Sequence, residues 1–304
     1  MSSWLDRRGF VSLATAFVVA GCVSGPAWAV TKGARRKPEE AAFEAALARL
    51  EAENGGRLGV MVSDTGSGRR FGYRADERFA MCSTHKFLTV ASILRGVDHG
   101  RLQLGQPVRY GAADMLSYAP ITGKHLKTGF MTLGELCQAA LEWSDNTAAN
   151  LLLGLIGGPS GWTRFARSIG DSVSRLDRTE PDLNTATPGD PRDTTTPAAM
   201  AHDLSVILLG DVLSDASRQV LTNWMRDNQI TDDLLRSGVP KDWRVADKSG
   251  SGSHGSRNDI GLIFPASPRR PIVASVYYTG SPQSLKIRNE VIAKVGYFIT
   301  EVFK

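Results

Sequence analysis

Four short polar motifs follow one another along the chain: Ser83-Thr84-His85-Lys86, Ser144-Asp145-Asn146, Glu180-Pro181-Asp182-Leu183-Asn184 and Lys248-Ser249-Gly250. Any one of them is weak, because a Ser three residues before a Lys arises on the order of once by chance in a chain this long. All four together, in this order and each on a segment suited to its chemistry, make coincidence a poor explanation. A fold that uses them jointly has to bring distant parts of the sequence to one cleft.

The stretch from Ser83 to Val97 reads as a helix, with apolar residues at Phe87, Val90, Ala91, Ile93 and Leu94. Residues three apart share a helix face, so Lys86 lies one turn above Ser83 and can bring its amine to the hydroxyl. A serine hydroxyl is a weak nucleophile without an adjacent base. The helix N-terminus adds free backbone N–H groups and partial positive charge where an oxyanion would form. His85, between the two, is expected to point away from Ser83 and to be structural.

On these motifs the chain, from about Pro38 to its C-terminus, resembles the class A serine β-lactamases. The resemblance implies that Ser83 opens the β-lactam ring, with Lys86 and a water on Glu180 as the two candidate bases. It makes Ser144, helped by Lys248, the proton relay to the departing nitrogen. Asn146 would hold the substrate's side-chain amide, and Lys248, Ser249, Ser251 and Arg257 would receive its carboxylate. The N–H groups of Ser83 and Ser251 would form the oxyanion hole, and Tyr118 would wall the cleft. Glu180 would then activate water against the acyl-serine, with Asn184 fixing that water. The segment from Arg175 to Thr196, with Pro181, Pro188, Gly189 and Pro191 and no helical period, suits a long functional loop. By the same resemblance Arg178 and Asp193 bridge its base, and the Glu180-Pro181 bond is cis. This chemistry needs no cofactor.

The 304 residues, 42% hydrophobic and 22% charged, describe a globular chain. The net charge of +5 raises the question of nucleic acid, but only Arg35-Arg36-Lys37 forms a cluster, ahead of the first helix, so no nucleic-acid partner is expected. The five histidines are scattered without metal-ligand spacing, which does not support a zinc hydrolase. His254 is read as an exposed loop residue.

Residues 1–29 read as an export signal. Arg7-Arg8-Gly9-Phe10 precedes an apolar run to about Val23, and Ala27-Trp28-Ala29 suits cleavage. The paired arginines suggest the twin-arginine route and a periplasmic enzyme without a membrane span. A competing pattern, Val19-Ala20-Gly21-Cys22, resembles a lipoprotein box with Cys22 as the acylated residue. Beyond the signal only Cys82 and Cys137 remain. Relatives pair a cysteine at either position with one for which this chain has Val90 or Gly252, so two free thiols are expected.

The predicted architecture is mixed α/β (α+β), of the serine β-lactamase and DD-peptidase type. Helix Glu39 to Glu51, a hairpin of Arg57 to Asp64 with Arg69 to Tyr73, strands Trp243 to Lys248, Arg257 to Phe264 and Ile272 to Tyr278, and helix Leu285 to Phe303 are its sheet-side elements. Residues 30–78 and 227–304 would thus form an antiparallel five-stranded sheet flanked by the terminal helices. An all-helical domain, residues 79–226 with the catalytic loop 175–196, would be inserted between them, and the cleft would lie at the interface. A monomer is expected. Two functions compete with a β-lactam hydrolase: a penicillin-binding carboxypeptidase or transpeptidase, and a β-lactam sensor that stays acylated. Glu180 and Asn184 argue against both.

Overall fold

The computed structural model describes residues 38–266 and 268–303, all within one compact unit. The expected export signal and Cys22 lie outside these residues. In chain order the elements are α1 (Pro38–Asn54), β1 (Arg57–Asp64), β2 (Arg70–Tyr73), β3 (Phe79–Ala80), α2 (His85–Asp98), β4 (Pro107–Arg109), β5 (Phe130–Thr132), α3 (Leu133–Glu142), α4 (Asn146–Leu155) and α5 (Gly158–Ser168). They continue with β6 (Thr194–Thr195), α6 (Pro197–Leu208), α7 (Asp215–Arg226), α8 (Leu235–Gly238), β7 (Arg244–Gly252), β8 (Ser256–Phe264), β9 (Ile272–Thr279) and α9 (Leu285–Phe303).

The main sheet has the order β2-β1-β9-β8-β7, every neighbour antiparallel, as expected. Sheet residues alternate between two apolar clusters, as the period of two requires. In β9, Ile272, Ala274, Val276 and Tyr278 pack with Phe43, Leu47 and Leu50 of α1 and with Val291, Ile292, Val295 and Ile299 of α9. Val273 and Tyr277, on the other face, join a second cluster with Phe87, Val90 and Leu94 of α2 and Leu204 of α6. Both sheet faces are therefore covered, and β8 and β9 are buried over nearly their whole length, β9 as a mainly apolar run and β8 with a polar first half, Ser256 to Asp259.

Three expectations change in detail. The helix expected from Ser83 begins at His85, and Cys82–Thr84 form a preceding 3-10 turn with Cys82 at φ +48°. The strand expected to stop at Lys248 runs on to Gly252, because Ser249, Gly250, Ser251 and Gly252 pair with Asp259, Asn258, Arg257 and Ser256. Residues 79–226, expected to be all-helical, also hold four short strands, β3, β4, β5 and β6, paired as β3 with β6 and β4 with β5. Cys82 and Cys137 are both free and buried.

Candidate active site

Ser83 stands in the 3-10 turn ahead of α2 and is nearly buried. Its Oγ accepts from Lys86 Nζ at 3.0 Å and donates to Glu180 Oε1 at 3.3 Å. The one-turn spacing thus sets amine against hydroxyl, as the sequence predicts. Lys86 is fully buried, and its ammonium is satisfied by oxygens from three segments. Besides Ser83 it reaches Ser144 O at 2.7 Å, Ser144 Oγ at 3.2 Å, Asn146 Oδ1 at 2.6 Å and Glu180 Oε1 at 3.0 Å.

Ser144 reaches that position because it adopts the left-handed region, φ +58°, between α3 and α4. Next to it, Asp145 caps α4 through Ala148 N–H and binds the N–H groups of Ile121 and Thr122. Its role is structural: it ties the loop carrying Tyr118 to the second motif, and Asn146 N–H donates to Tyr118 O at 3.0 Å. The Tyr118 side chain itself is exposed.

Strand β7 is an edge of the sheet and passes close to the Ser83 turn. A Cβ on Gly250 would lie 2.8 Å from Met81 O, so only glycine permits the approach. Lys248, fully buried, donates to Ser144 Oγ at 3.1 Å and to Ser249 O at 2.7 Å. Arg257 on β8 donates to Ser251 Oγ at 3.0 Å and to Asn289 Oδ1 at 2.8 Å.

Glu180 precedes a cis peptide bond to Pro181. Asn150, on α4 and one turn beyond Asn146, holds its backbone from both sides, accepting Glu180 N–H and donating to Glu180 O, each at 2.9 Å. Glu180 Oε2 accepts from Asn184 Nδ2. The loop is closed at its base by Arg178 Nε donating to Asp193 Oδ2 at 2.6 Å, while Asp193 Oδ1 accepts the N–H groups of Asp177 and Arg178. Its inner edge is tied to the turn after β7, where Ser253 N–H donates to Asn184 O at 2.9 Å and His254 Nδ1 meets Thr185 O at 2.9 Å.

His85 makes a contact that the sequence does not announce. Its ring is fully buried, but Nε2 lies 3.3 Å from Glu180 Oε1. The loop of residues 175–196 folds over the start of α2 and so meets a residue on a different helix face from Ser83. The sequence holds no signal for that contact. Asn150, one helix turn after Asn146 and so on the same face, carries that spacing as its only signal in the sequence.

Electrostatics follow from burial and neighbours. Burial pushes the Glu180 carboxyl up, but the Lys86 ammonium and the His85 imidazole outweigh it, and the group lies well below the usual carboxylate range. Burial pulls the Lys86 amine down, against the pull of Glu180. Burial, with Lys86 and Arg257 nearby, takes Lys248 further down. The structure thus joins Ser83, Lys86, Ser144, Asn146, Glu180, Asn184 and Lys248 in one hydrogen-bonded group. Ser249 contributes a carbonyl, the Ser251–Arg257 pair lies beyond Lys248 on β7 and β8, and the Tyr118 side chain is outside it. Among the described residues, no three or more His, Cys, Asp or Glu side chains gather as a metal site.

A model of the beta-lactamase enzyme family matches residues 42–303. Beta-lactamase OXY-2 of Klebsiella oxytoca is 43% identical over 300 residues, spanning 99% of this chain and 98% of that protein. Beta-lactamase L2 of Stenotrophomonas maltophilia is 47% identical over 296 residues, 96% of this chain and 97% of its own. Among solved structures, an ancestral class A beta-lactamase (GNCA) superposes with a TM-score of 0.84 at 55% identity, covering 86% of this chain and 100% of that one. A beta-lactamase from Xanthomonas campestris gives 0.85 at 46% identity, covering 88% and 99%. With motifs, sheet order and matches in agreement over nearly the whole length, the chain belongs to the class A serine β-lactamases.

Proposed function

We propose that this enzyme hydrolyses the amide bond of β-lactams through an acyl-enzyme on Ser83, and so confers resistance to them. One observation carries the reading: Ser83 Oγ lies within 3.3 Å of both Lys86 Nζ and Glu180 Oε1, an amine and an ionised carboxylate held in a buried site. A nucleophile between two candidate bases can be deprotonated as it attacks the ring carbonyl. The oxyanion would sit on the N–H groups of Ser83 and Ser251. Ser144, already bonded to both Lys86 and Lys248, would pass a proton to the departing ring nitrogen. Lys248, Ser249, Ser251 and Arg257 would receive the carboxylate shared by penicillins and cephalosporins, Asn146 the side-chain amide, and Tyr118 would wall the cleft.

The second half of the cycle rests on Glu180. A carboxylate held below its ordinary range stays ionised at neutral pH, so with Asn184 it would orient and deprotonate the water that frees Ser83. This base beside the nucleophile favours turnover over a carboxypeptidase or a sensor that remains acylated.

The test is an intact-mass time course of the purified enzyme with excess benzylpenicillin. A transient adduct with accumulating product is expected from the parent, none from Ser83→Ala and a persistent one from Glu180→Gln. A persistent adduct on the parent would overturn the hydrolase reading.

Export through the signal at 1–29, a periplasmic location and a monomeric state belong to the same proposal, as does a division into residues 30–78 with 227–304 and residues 79–226. Among the described residues no helix is long and apolar enough to cross a membrane. The mass of the natural secreted protein tests the leader: a chain starting at Val30 is expected, and a lipid on Cys22 would refute it.

A further inference from the structure

Two nitrogens from the nucleophile's helix reach Glu180 Oε1, Lys86 Nζ at 3.0 Å and His85 Nε2 at 3.3 Å. The first belongs to the machinery already assigned, and the second has no role in it. The His85 ring is fully buried with a polar contact on each nitrogen, and its backbone carbonyl is held as well. Nδ1 lies 3.2 Å from Thr89 Oγ1 one turn along α2, and the His85 carbonyl accepts from Trp162 Nε1 at 3.0 Å and lies 3.1 Å from Thr89 Oγ1.

These contacts decide the tautomer. Thr89 has one hydroxyl proton and two acceptors in reach, the His85 carbonyl and Nδ1; Trp162 Nε1 already serves the carbonyl, so the Thr89 proton is free to go to Nδ1. On the other side of the ring, an unprotonated Nε2 would set its lone pair against the ionised Glu180 oxygen. Only Nε2–H turns the contact into a hydrogen bond. Burial, with Lys86 and Lys248 nearby, works against a second ring proton, although Glu180 favours one, and the net displacement is downward. The ring is therefore a neutral donor.

We propose that His85 is a positioning residue for the deacylating base: through Nε2–H it holds the Glu180 carboxylate ionised and facing Ser83. The proposal rests on the reading of Glu180 as that base. It gives the site a donor independent of Lys86. When the Lys86 ammonium shares its protons with Ser83 or Ser144, Glu180 Oε1 keeps a partner that takes no part in those transfers. The charged and titratable groups around the carboxylate are Lys86 and His85 from α2, the Cys82 thiol from the turn before it and, at longer range, Lys248 from β7, with Asn184 on its other oxygen.

The test is the pH dependence of deacylation, followed as decay of a preformed acyl-enzyme in the parent, His85→Phe and His85→Gln, with Glu180→Gln alongside. A hydrogen bond to a charged group supports a shift of about one to two pH units when lost, so His85→Phe should raise the acid limb by that much and slow decay at least tenfold below it. His85→Gln, which keeps an N–H donor, should recover part of the shift. An unmoved limb with a lowered plateau in His85→Phe means a purely structural residue and overturns the proposal. Wild-type decay in Glu180→Gln removes the base and the proposal with it, an outcome separate from a failure of His85 alone. Nitrogen-15 NMR of the parent's His85 ring needs no variant to fold: a proton on Nε2 is expected, and one on Nδ1 alone refutes the assignment.

Discussion

The approach of β7 to the catalytic loop supplies a sharp test of how the site is held. A Cβ on Gly252 would stand 2.6 Å from Asn184 O and 2.6 Å from Cys82 Sγ. Neither can retreat easily, since Cys82 is fully buried and Asn184 O already accepts Ser253 N–H. Gly252→Ala must then part strand and loop. Overpacking of this kind costs about 1–3 kcal/mol, and two simultaneous clashes place it near ~2 kcal/mol. For a chain of this size that is a fall in Tm of roughly 4–8 °C. Because Asn184 also holds Glu180 Oε2, deacylation should suffer more than acylation, and a displacement near an ångström can cost about 10²-fold. Cys82→Ala removes the sulfur at a cost of about 1 kcal/mol for the small void. In the double variant the sulfur clash is gone while the carbonyl clash stays, so a favourable coupling of ~1 kcal/mol is expected in thermal unfolding. Deacylation by stopped flow should remain slow in the double variant. Costs that add to within about 0.5 kcal/mol, or wild-type deacylation in Gly252→Ala, would refute the reasoning.

Three further outcomes are expected. Arg178→Ala leaves the buried Asp193 carboxylate with two N–H donors and no cation; a loss of about 1–3 kcal/mol and faster hydrogen exchange across 177–196 should follow, and unchanged exchange would count against the pair as the loop's clasp. Asp203, fully buried, has no hydrogen-bond donor on either oxygen. Burial and the neighbouring Asp171 push its carboxyl well above the ordinary range, so the folded state holds a proton that the unfolded chain releases as pH rises through the usual carboxylate range, and stability falls from there up to the folded value. Asp203→Asn cannot titrate and should gain stability over the parent increasingly from about pH 4 upward; a difference in Tm that shrinks with pH would contradict this. Burial pushes the Cys82 thiol up to about 12 and that of Cys137 higher still, so neither should react with a thiol reagent in the native enzyme and both should after unfolding.

Much of the site could be read from residue order because its chemistry is local. The Ser83–Lys86 spacing is a helix turn, the Arg175–Thr196 segment is marked by its prolines, and β9 and the second half of β8 declare themselves by apolar runs. What escaped depends on contacts between distant segments. Ser249 to Gly252 look like loop by composition yet are strand, because β8 supplies their partners and the Ser83 turn needs a surface without side chains. His85 meets Glu180 across 95 positions of chain, and no periodicity on α2 encodes that. The Asp171–Asp203 pair is likewise invisible until α6 packs.

The Lys86 nitrogen has five oxygens within 3.2 Å but only three protons to give. At every instant at least two of those oxygens go without. The surplus turns the site into a switchboard: a small rotation about the last bond of one side chain redirects a proton from Ser83 toward Ser144 or Glu180 while the heavy atoms stay in place. Acylation and the later hydrolysis of the acyl group, in the cycle proposed above, would then share one rigid scaffold, with the rearrangement confined to a single buried amine.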